Sequence, residues 1–333
     1  MTNIRKAVAA ALALCLIAPL AACEGQVPAV SSPTAATSAA PDLTQAQEKK
    51  IRLRILDGLS QATEAKSAKG LDQYATGPFL DIRTSELAVL SKTGKMRAEA
   101  TIPDGISQTV IPTDSGWPRS VYTITTTTED QQPKRLLVLT QDSARANYKL
   151  WGVARLFPGA KLPSFAIPTI GTPMGAPSDT GLVLTPQQAV TQYADVLTHG
   201  TDSQYAKNFA DDHLRQLISE LATKVQQGVE RNKGSQEQTF TADTSSIQVM
   251  RSTDGGDLVV ARITSQWTRK AGEGRESLPA NDEETVLFAN GKATSTMRVS
   301  YVNVIALYVP SKDSKQPVTA VGADRYPIKV EAL

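Results

Sequence analysis

Residues 43–63, LTQAQEKKIRLRILDGLSQAT, and residues 184–200, LTPQQAVTQYADVLTHG, indicate how the chain is organised. Each begins with a capping-box pattern: Thr44 precedes Gln47 by three residues, and Thr185 precedes Gln188 by the same spacing. In such a box the threonine hydroxyl accepts from a free N–H of the first turn, and the glutamine side chain accepts from the threonine N–H. Apolar residues at helical spacing follow in both stretches. We therefore predict that each stretch is a helix.

The similarity between the two halves continues beyond these helices. QYATGPF (residues 73–79) and QYAKNF (residues 204–209) each precede a second helical pattern, and ISQTVIPTDSG (residues 106–116) parallels SIQVMRSTDGG (residues 246–256) as a hairpin. Runs rich in β-branched and aromatic residues then predict strands in both halves. These strands cover residues 120–128, 135–140 and 148–157, and then 258–268, 284–289, 294–309 and 326–330. Several similar pairs in the same order indicate an internal duplication.

Each half is thus predicted to contain two helices followed by antiparallel strands, which is the segregated order of an α+β fold. This order resembles the NTF2-like fold, in which helices pack into the concave side of a curved sheet and form a cone. The whole chain resembles actinobacterial lipoproteins with tandem domains of this type. We expect a first NTF2-like domain over residues 42–157 and a second over residues 184–333. The lipoproteins in question have no established catalytic residues, so the resemblance assigns none here.

The segment between the two halves is rich in proline. Residues 158–183 contain too many prolines for a regular helix or a central strand. They also contain Phe165, Ile167 and Ile170, which a linker surrounded only by solvent would not need. We therefore expect this interdomain segment to pack along one or both domains.

The two cysteines, Cys15 and Cys23, lie near the start of the chain. A short positive stretch, Arg5-Lys6, precedes an uncharged apolar run, which is the layout of an export signal. The sequence from Leu20 to Cys23 then resembles the lipobox of bacterial lipoproteins. This resemblance implies a signal peptide over residues 1–22 and a lipid on Cys23, followed by a flexible tether over residues 23–41. We expect a protein anchored by lipid to the extracytoplasmic side of the cell membrane; the alternative is an ordinary secretory signal.

Charge and cysteine usage exclude several classes of function. Removal of the signal peptide takes away Arg5 and Lys6, so 33 of the 35 basic residues remain beside 33 acidic ones. This balance gives no electrostatic basis for binding nucleic acid. The mature chain would also keep no free thiol for a disulfide or a cysteine nucleophile, because Cys23 would carry lipid.

No sequence motif identifies a catalytic site. The triplet Lys92-Thr93-Gly94 occurs in penicillin-binding enzymes, but the Ser-x-x-Lys motif that they also need does not occur in this sequence, and we expect a turn after a helix. Asp211, Asp212 and His213 are typical of a helix start, where the dipole favours acidic residues. His199 is the second and last imidazole, which leaves too few nitrogen ligands for a usual zinc site. We predict no enzyme activity, no catalytic residue, no metal and no cofactor.

Two further clusters have structural interpretations. Asn281–Thr285 contains three consecutive acids and is predicted to be a solvated hairpin connection. Trp117, Trp151 and Trp267 are expected in the core or on the sheet surface, with Trp151 half-buried in a strand. The alternative for the tryptophans is a ligand pocket, since aromatic residues often line NTF2-like cones.

These observations favour a non-catalytic binding or scaffold module of the cell envelope, whose partner is another envelope protein. The first alternative is a carrier that holds an apolar small molecule or lipid in a cone cavity. A second is the solute-binding lipoprotein of an importer, although such proteins alternate strands and helices. A third is an enzyme, because the NTF2-like fold hosts some isomerases and dehydratases.

Overall fold

Each half of the chain folds into two long helices followed by four antiparallel strands. The computed structural model describes residues 39–114 and 116–333, so the predicted signal peptide, Cys23 and most of the tether lie outside the described residues. The first half contains α1 (Gln45–Glu64), α2 (Gly77–Thr93), β1 (Ile106–Val110), β2 (Arg119–Thr125), β3 (Arg135–Gln141) and β4 (Lys149–Leu156). The second contains α3 (Pro186–His199), α4 (His213–Glu230), β5 (Ser235–Arg251), β6 (Asp257–Lys270), α5 (Asp282–Phe288), β7 (Thr296–Val309) and β8 (Thr319–Ala332).

Both predicted capping boxes are confirmed, and each one begins a helix. The backbone N–H of Gln47 donates to the Thr44 hydroxyl at 3.2 Å, and the Thr44 N–H donates to the Gln47 side chain at 2.8 Å. Thr185 and Gln188 make the same reciprocal pair at the start of α3. These bonds satisfy N–H groups that have no partner within the helix. The first helix of each half is therefore positioned by local chemistry that the sequence makes visible.

All eight strands form a single antiparallel sheet, in the order β1-β2-β3-β4-β8-β7-β6-β5. The prediction of helices with antiparallel strands is confirmed, but the strands do not form two separate sheets. The two halves join where β4 pairs with β8, through Arg155 opposite Ala323 and Leu156 opposite Gly322. Sequence patterns identify strands, but they do not show which strand edges pair across distant parts of the chain.

The two halves also share one buried cluster. It contains Tyr122 and Val138 from the first half and Val260 and Val304 from the second. A second cluster lies between α1, α2 and strands β2 to β4, and a third lies between α3, α4 and the last four strands. Removing this apolar surface from water is the main force that favours folding. Residues 40–333 make up one compact unit that contains these three clusters.

The proline-rich segment connects the two outer strands of the sheet. The Thr172 N–H donates to the Ile111 carbonyl just after β1 at 2.8 Å, and the Gly175 N–H donates to the Val249 carbonyl of β5 at 3.0 Å. Phe165 is buried, as expected, whereas Ile167 and Ile170 are exposed. The segment therefore packs against both halves, and backbone hydrogen bonds fix its position in addition to apolar contacts.

Three local predictions were wrong, two in the second half and one in the first. Residues 284–289 were expected to form a strand, but most of them belong to helix α5, whose N-cap is Asn281. Asn281–Thr285 is therefore the start of that helix and not a hairpin connection. Glu284 is buried there and pairs with Arg269, with one Nη1–Oε1 distance of 3.2 Å. Trp151, on β4 of the first half, is only 4% exposed, not half-buried, because it packs in the buried cluster that the two halves share.

No helix in the described part of the chain combines the length and the apolar character needed to cross a membrane.

Candidate functional site: a groove beside helix α4

Helix α4 buries only part of its apolar face. Its N-cap is Asp212, whose Oδ1 accepts from the Arg215 N–H at 3.0 Å and from the Tyr193 hydroxyl at 3.1 Å. The second helical pattern of this half, which the sequence predicts after residues 204–209, places apolar residues at Leu214, Leu217, Ile218, Leu221 and Val225. Of these, Leu214 and Ile218 are buried against the sheet, but Leu217 is 49% exposed and Leu221 is 36% exposed. An amphipathic helix normally buries such a stripe, and Leu217 and Leu221 depart from this pattern.

The exposed leucines face a groove of about 490 Å³. The opposite wall is the junction between β4 and β8, where apolar side chains dominate. Leu217 and Leu221 line the groove from α4, and Leu156, Phe157 and Ala323 line it from the junction. Pockets that bind small molecules typically measure about 300–1,000 Å³ and are mostly apolar with a few polar groups. The groove has this character.

Arg325 is the polar group that distinguishes the groove. It lines the groove from β8, and its Cζ lies 3.7 Å from the ring centroid of Tyr301. Its Nη2 donates to the Gln238 side chain at 3.3 Å, while its buried Nε has no hydrogen-bond partner among the described residues. Burial lowers the pKa of the Arg325 guanidinium, although Tyr301 and Glu284 oppose the shift. An arginine stays charged in proteins, so this groove contains a cation with little compensation.

Arg155, the other arginine of the groove, is compensated. Its Nε lies 3.4 Å from Asp324, and its Nη1 lies 3.8 Å from Glu99. Asp324 is in turn held by Arg97, with Nη1–Oδ1 at 2.9 Å. Arg155 is therefore one member of a network of ion pairs, whereas Arg325 makes no ion pair with any residue that the structure describes.

The structure does not assemble the two histidines into a reactive site. His213 begins α4 and packs edge-on against Phe157, with ring centroids 5.8 Å apart. His199 ends α3, where its Nδ1 lies 3.2 Å from an Asp195 oxygen, and it lines a different cleft. Asp212 is occupied as an N-cap, as the helix-start interpretation predicts, and burial raises its pKa.

The remaining candidates also have structural explanations. Gly94 ends α2 in a left-handed conformation, as expected for a turn, but Lys92 and Thr93 are the last two residues of the helix and do not belong to the turn. Trp267 and Trp151 are buried, Trp117 is exposed and lies 4.1 Å from the Arg119 guanidinium, and none of the three lines the groove. Within residues 39–114 and 116–333, no three acidic, histidine or cysteine side chains are grouped so that they could hold a metal ion.

Sequence reasoning predicted the apolar spacing of helix α4, but it did not predict the groove. The helical spacing of Leu217 and Leu221 was visible, but Arg325 was not singled out. The available signal was an arginine within the largely apolar stretch VTAVGADRYPIKV, residues 318–330. A charged residue there is either paired or functional, and only the three-dimensional neighbours decide between these roles.

Comparison with known proteins gives a family without a described activity. No curated protein and no solved structure matches the chain. One family model, described as Domain of unknown function (DUF8094), matches residues 39–329, which include every helix named above and all eight strands except the last residues of β8. The chain therefore belongs to the DUF8094 family.

Proposed function

We propose that this protein is a non-catalytic binding module of the cell envelope, which holds an apolar chain in the groove beside α4. One observation supports this most directly: Leu217 and Leu221 face a groove whose opposite wall is apolar, instead of packing against the sheet. Burying these leucines against a ligand would recover about 25 cal/mol for each Å² of apolar surface removed from water.

We also propose that lipid on Cys23 anchors the module on the extracytoplasmic side of the membrane, through a tether that ends near residue 41. The lipobox sequence and the composition of residues 24–41 support this. Each half is proposed to be an NTF2-like unit, which is supported by its order of two helices and four antiparallel strands. The antiparallel sheet does not favour the importer alternative, since such proteins use alternating strands and helices.

The test is binding of a neutral apolar probe, Nile red, to residues 40–333, which form the compact unit. We expect saturable binding that falls about tenfold in the double variant Leu217→Gln/Leu221→Gln, because two apolar contacts are removed. The matched control is Leu53→Gln on α1, since Leu53 is 38% exposed and lies outside the groove. This control should bind within about twofold of the parent chain. Absence of saturable binding, or equal loss in both variants, would refute the proposal.

Native mass spectrometry of the same chain, purified without detergent, provides a second measurement. An added mass that is released on denaturation would identify a ligand acquired in the cell.

A second candidate is a scaffold that binds another envelope protein, and the exposed Ile167 and Ile170 of the proline-rich segment favour it. A photoreactive residue placed at position 170 would crosslink to a single envelope protein in cells if this candidate is correct. The same residue in place of Leu278, which is also exposed, is the control.

A further inference from the structure

We propose that the ligand of the α4 groove is an anionic amphiphile: one acyl chain that ends in a carboxylate or a phosphate, with the anionic group bound by Arg325. This inference rests on the proposed function of the groove and adds the chemical class of the ligand.

Arg325 makes fewer hydrogen bonds than its guanidinium group can donate. A guanidinium has five N–H donors and no acceptor. The contacts described for Arg325 are one long hydrogen bond to Gln238, at 3.3 Å, and the face of the Tyr301 ring. Its Nε is buried without a partner among the described residues. A guanidinium with so few acceptors is unfavourable where water is scarce, and an anion that accepts from its N–H groups on the groove side removes this penalty.

The charged side chains that line the groove are mostly positive. Arg155, Lys224 and Arg325 line it, and Glu220 is the single carboxylate among its lining residues. Arg155 is already paired with Asp324, so it contributes little net charge. Glu220 lies four residues before Lys224 on α4 and offsets the charge of that exposed lysine, so the positive charge that remains in the groove is that of Arg325. A ligand with one negative end complements this arrangement better than a neutral or cationic one.

The lining of the groove is apolar except where charged side chains interrupt it. Leu217 and Leu221 form one side of the groove and Leu156 forms part of the other, while Arg325 interrupts the apolar lining from β8. A ligand that fits both features is apolar along its length and anionic at one end. A purely structural role for Arg325, in stacking on Tyr301, predicts no preference between anionic and neutral ligands, so binding data separate the two roles.

The experiment compares three ligands with the same twelve-carbon chain: dodecanoate, dodecyl phosphate and dodecanol. Their affinities for residues 40–333 are measured by displacement of Nile red. We expect at least one of the two anions to bind about tenfold more tightly than dodecanol. A preference for the carboxylate indicates a free fatty acid as the natural ligand, and a preference for the phosphate indicates a lipid headgroup.

Substitutions then locate the anion. Arg325→Met should abolish the preference for the anion and leave the affinity for dodecanol within about twofold, while Arg325→Lys should retain part of the preference. Lys224→Gln, on the exposed rim, should change the preference by less than about twofold. If Arg325→Met does not fold, as judged by its thermal melting, the Arg325→Lys and Lys224→Gln variants still show whether the anion is bound by Arg325 or by Lys224.

The possible outcomes separate the two proposals. Equal affinities for all three ligands would overturn the role of Arg325 and leave the apolar groove intact. A preference that Lys224→Gln removes and Arg325→Lys leaves unchanged would also overturn it. If none of the three ligands displaces Nile red and the probe itself does not bind, the proposed function of the groove fails as well.

Discussion

Asp257 is the residue whose ionisation should couple the stability of the fold to pH most clearly. It is the first residue of β6, is 3% exposed, and its Oδ2 has no hydrogen-bond partner among the described residues. Burial, followed by the charge of Asp179, raises the pKa of Asp257 to about 7, although Arg251 opposes the shift. Burial raises the pKa values of the Tyr122 and Tyr308 hydroxyls, and the charge of the nearby Asp257 adds to this rise.

The sign of the effect follows from the two states of the chain. In the unfolded chain Asp257 has an ordinary pKa of 3.8, so it loses its proton at a lower pH than in the folded protein. The contribution of Asp257 to the free energy of unfolding therefore falls as the pH rises from about 4 to about 7, and this contribution changes no further above that range. At about 1.36 kcal/mol per pH unit, the interval between 3.8 and about 7 corresponds to about 4 kcal/mol.

Asp257→Asn removes this titration and keeps the shape of the side chain. Urea unfolding of residues 40–333 at about pH 5 and about pH 8 should show that the variant gains up to about 3 kcal/mol relative to the parent chain between the two values. Comparing variant with parent cancels the titration of the groups that do not interact with Asp257. An unchanged difference between the two pH values would refute the argument that Asp257 is neutral in the folded protein at pH 5.

The adjacent turn provides a control of opposite sign. Burial opposes the shift, but hydrogen bonds from Ser252 and Gly256 lower the pKa of Asp254. Asp254 therefore stabilises the fold above its unfolded pKa, and this contribution is lost as the pH falls. Asp254→Asn should destabilise the protein near neutrality, with a smaller effect in acid.

Three other predictions follow from separate features. Glu284→Gln leaves the buried Arg269 without its carboxylate and should lower the free energy of unfolding in urea by about 3 kcal/mol. The control Asp282→Asn, at an exposed position, should change it by less than about 0.5 kcal/mol. Similar values for both variants would contradict a buried pair. Thr185→Ala removes a capping box and should cost about 1 kcal/mol, so an unchanged urea midpoint would count against the cap. Cys23→Ser should move the protein from the membrane pellet to the soluble fraction, and an unchanged distribution would argue against the lipid anchor.

The features that the sequence predicted correctly depend on neighbouring residues. The capping boxes at Thr44 and Thr185 join residues three positions apart, and the buried face of α3 follows from helical spacing alone. Helix α5 shows where local reasoning was misapplied: residues 284–289 were predicted to form a strand, although Asn281 before three acids is a signal for a helix start.

The features that were missed depend on distant residues. The pairing of Arg155 with Ala323 joins two halves that look alike in sequence, and no local pattern specifies which strand edges meet. The groove exists because of this junction, since Leu156 and Ala323 form part of its wall. The unpaired state of Arg325 depends on which carboxylates the fold brings near it.

The position of β8 has a consequence for how the chain reaches its final form. β8 is the last strand of the described chain, but it lies in the middle of the sheet, between β4 and β7. When the chain is synthesised from its N-terminus, β1 to β4 are made well before β8. Until the second half folds, the edge of β4 has no strand to pair with, and the apolar side chains around Tyr122 lack the residues that cover them. Pairing across such a distance along the chain is slow compared with local pairing. A chain that stops before Thr319 would lack a central strand, and both halves would lose a neighbour at the same time.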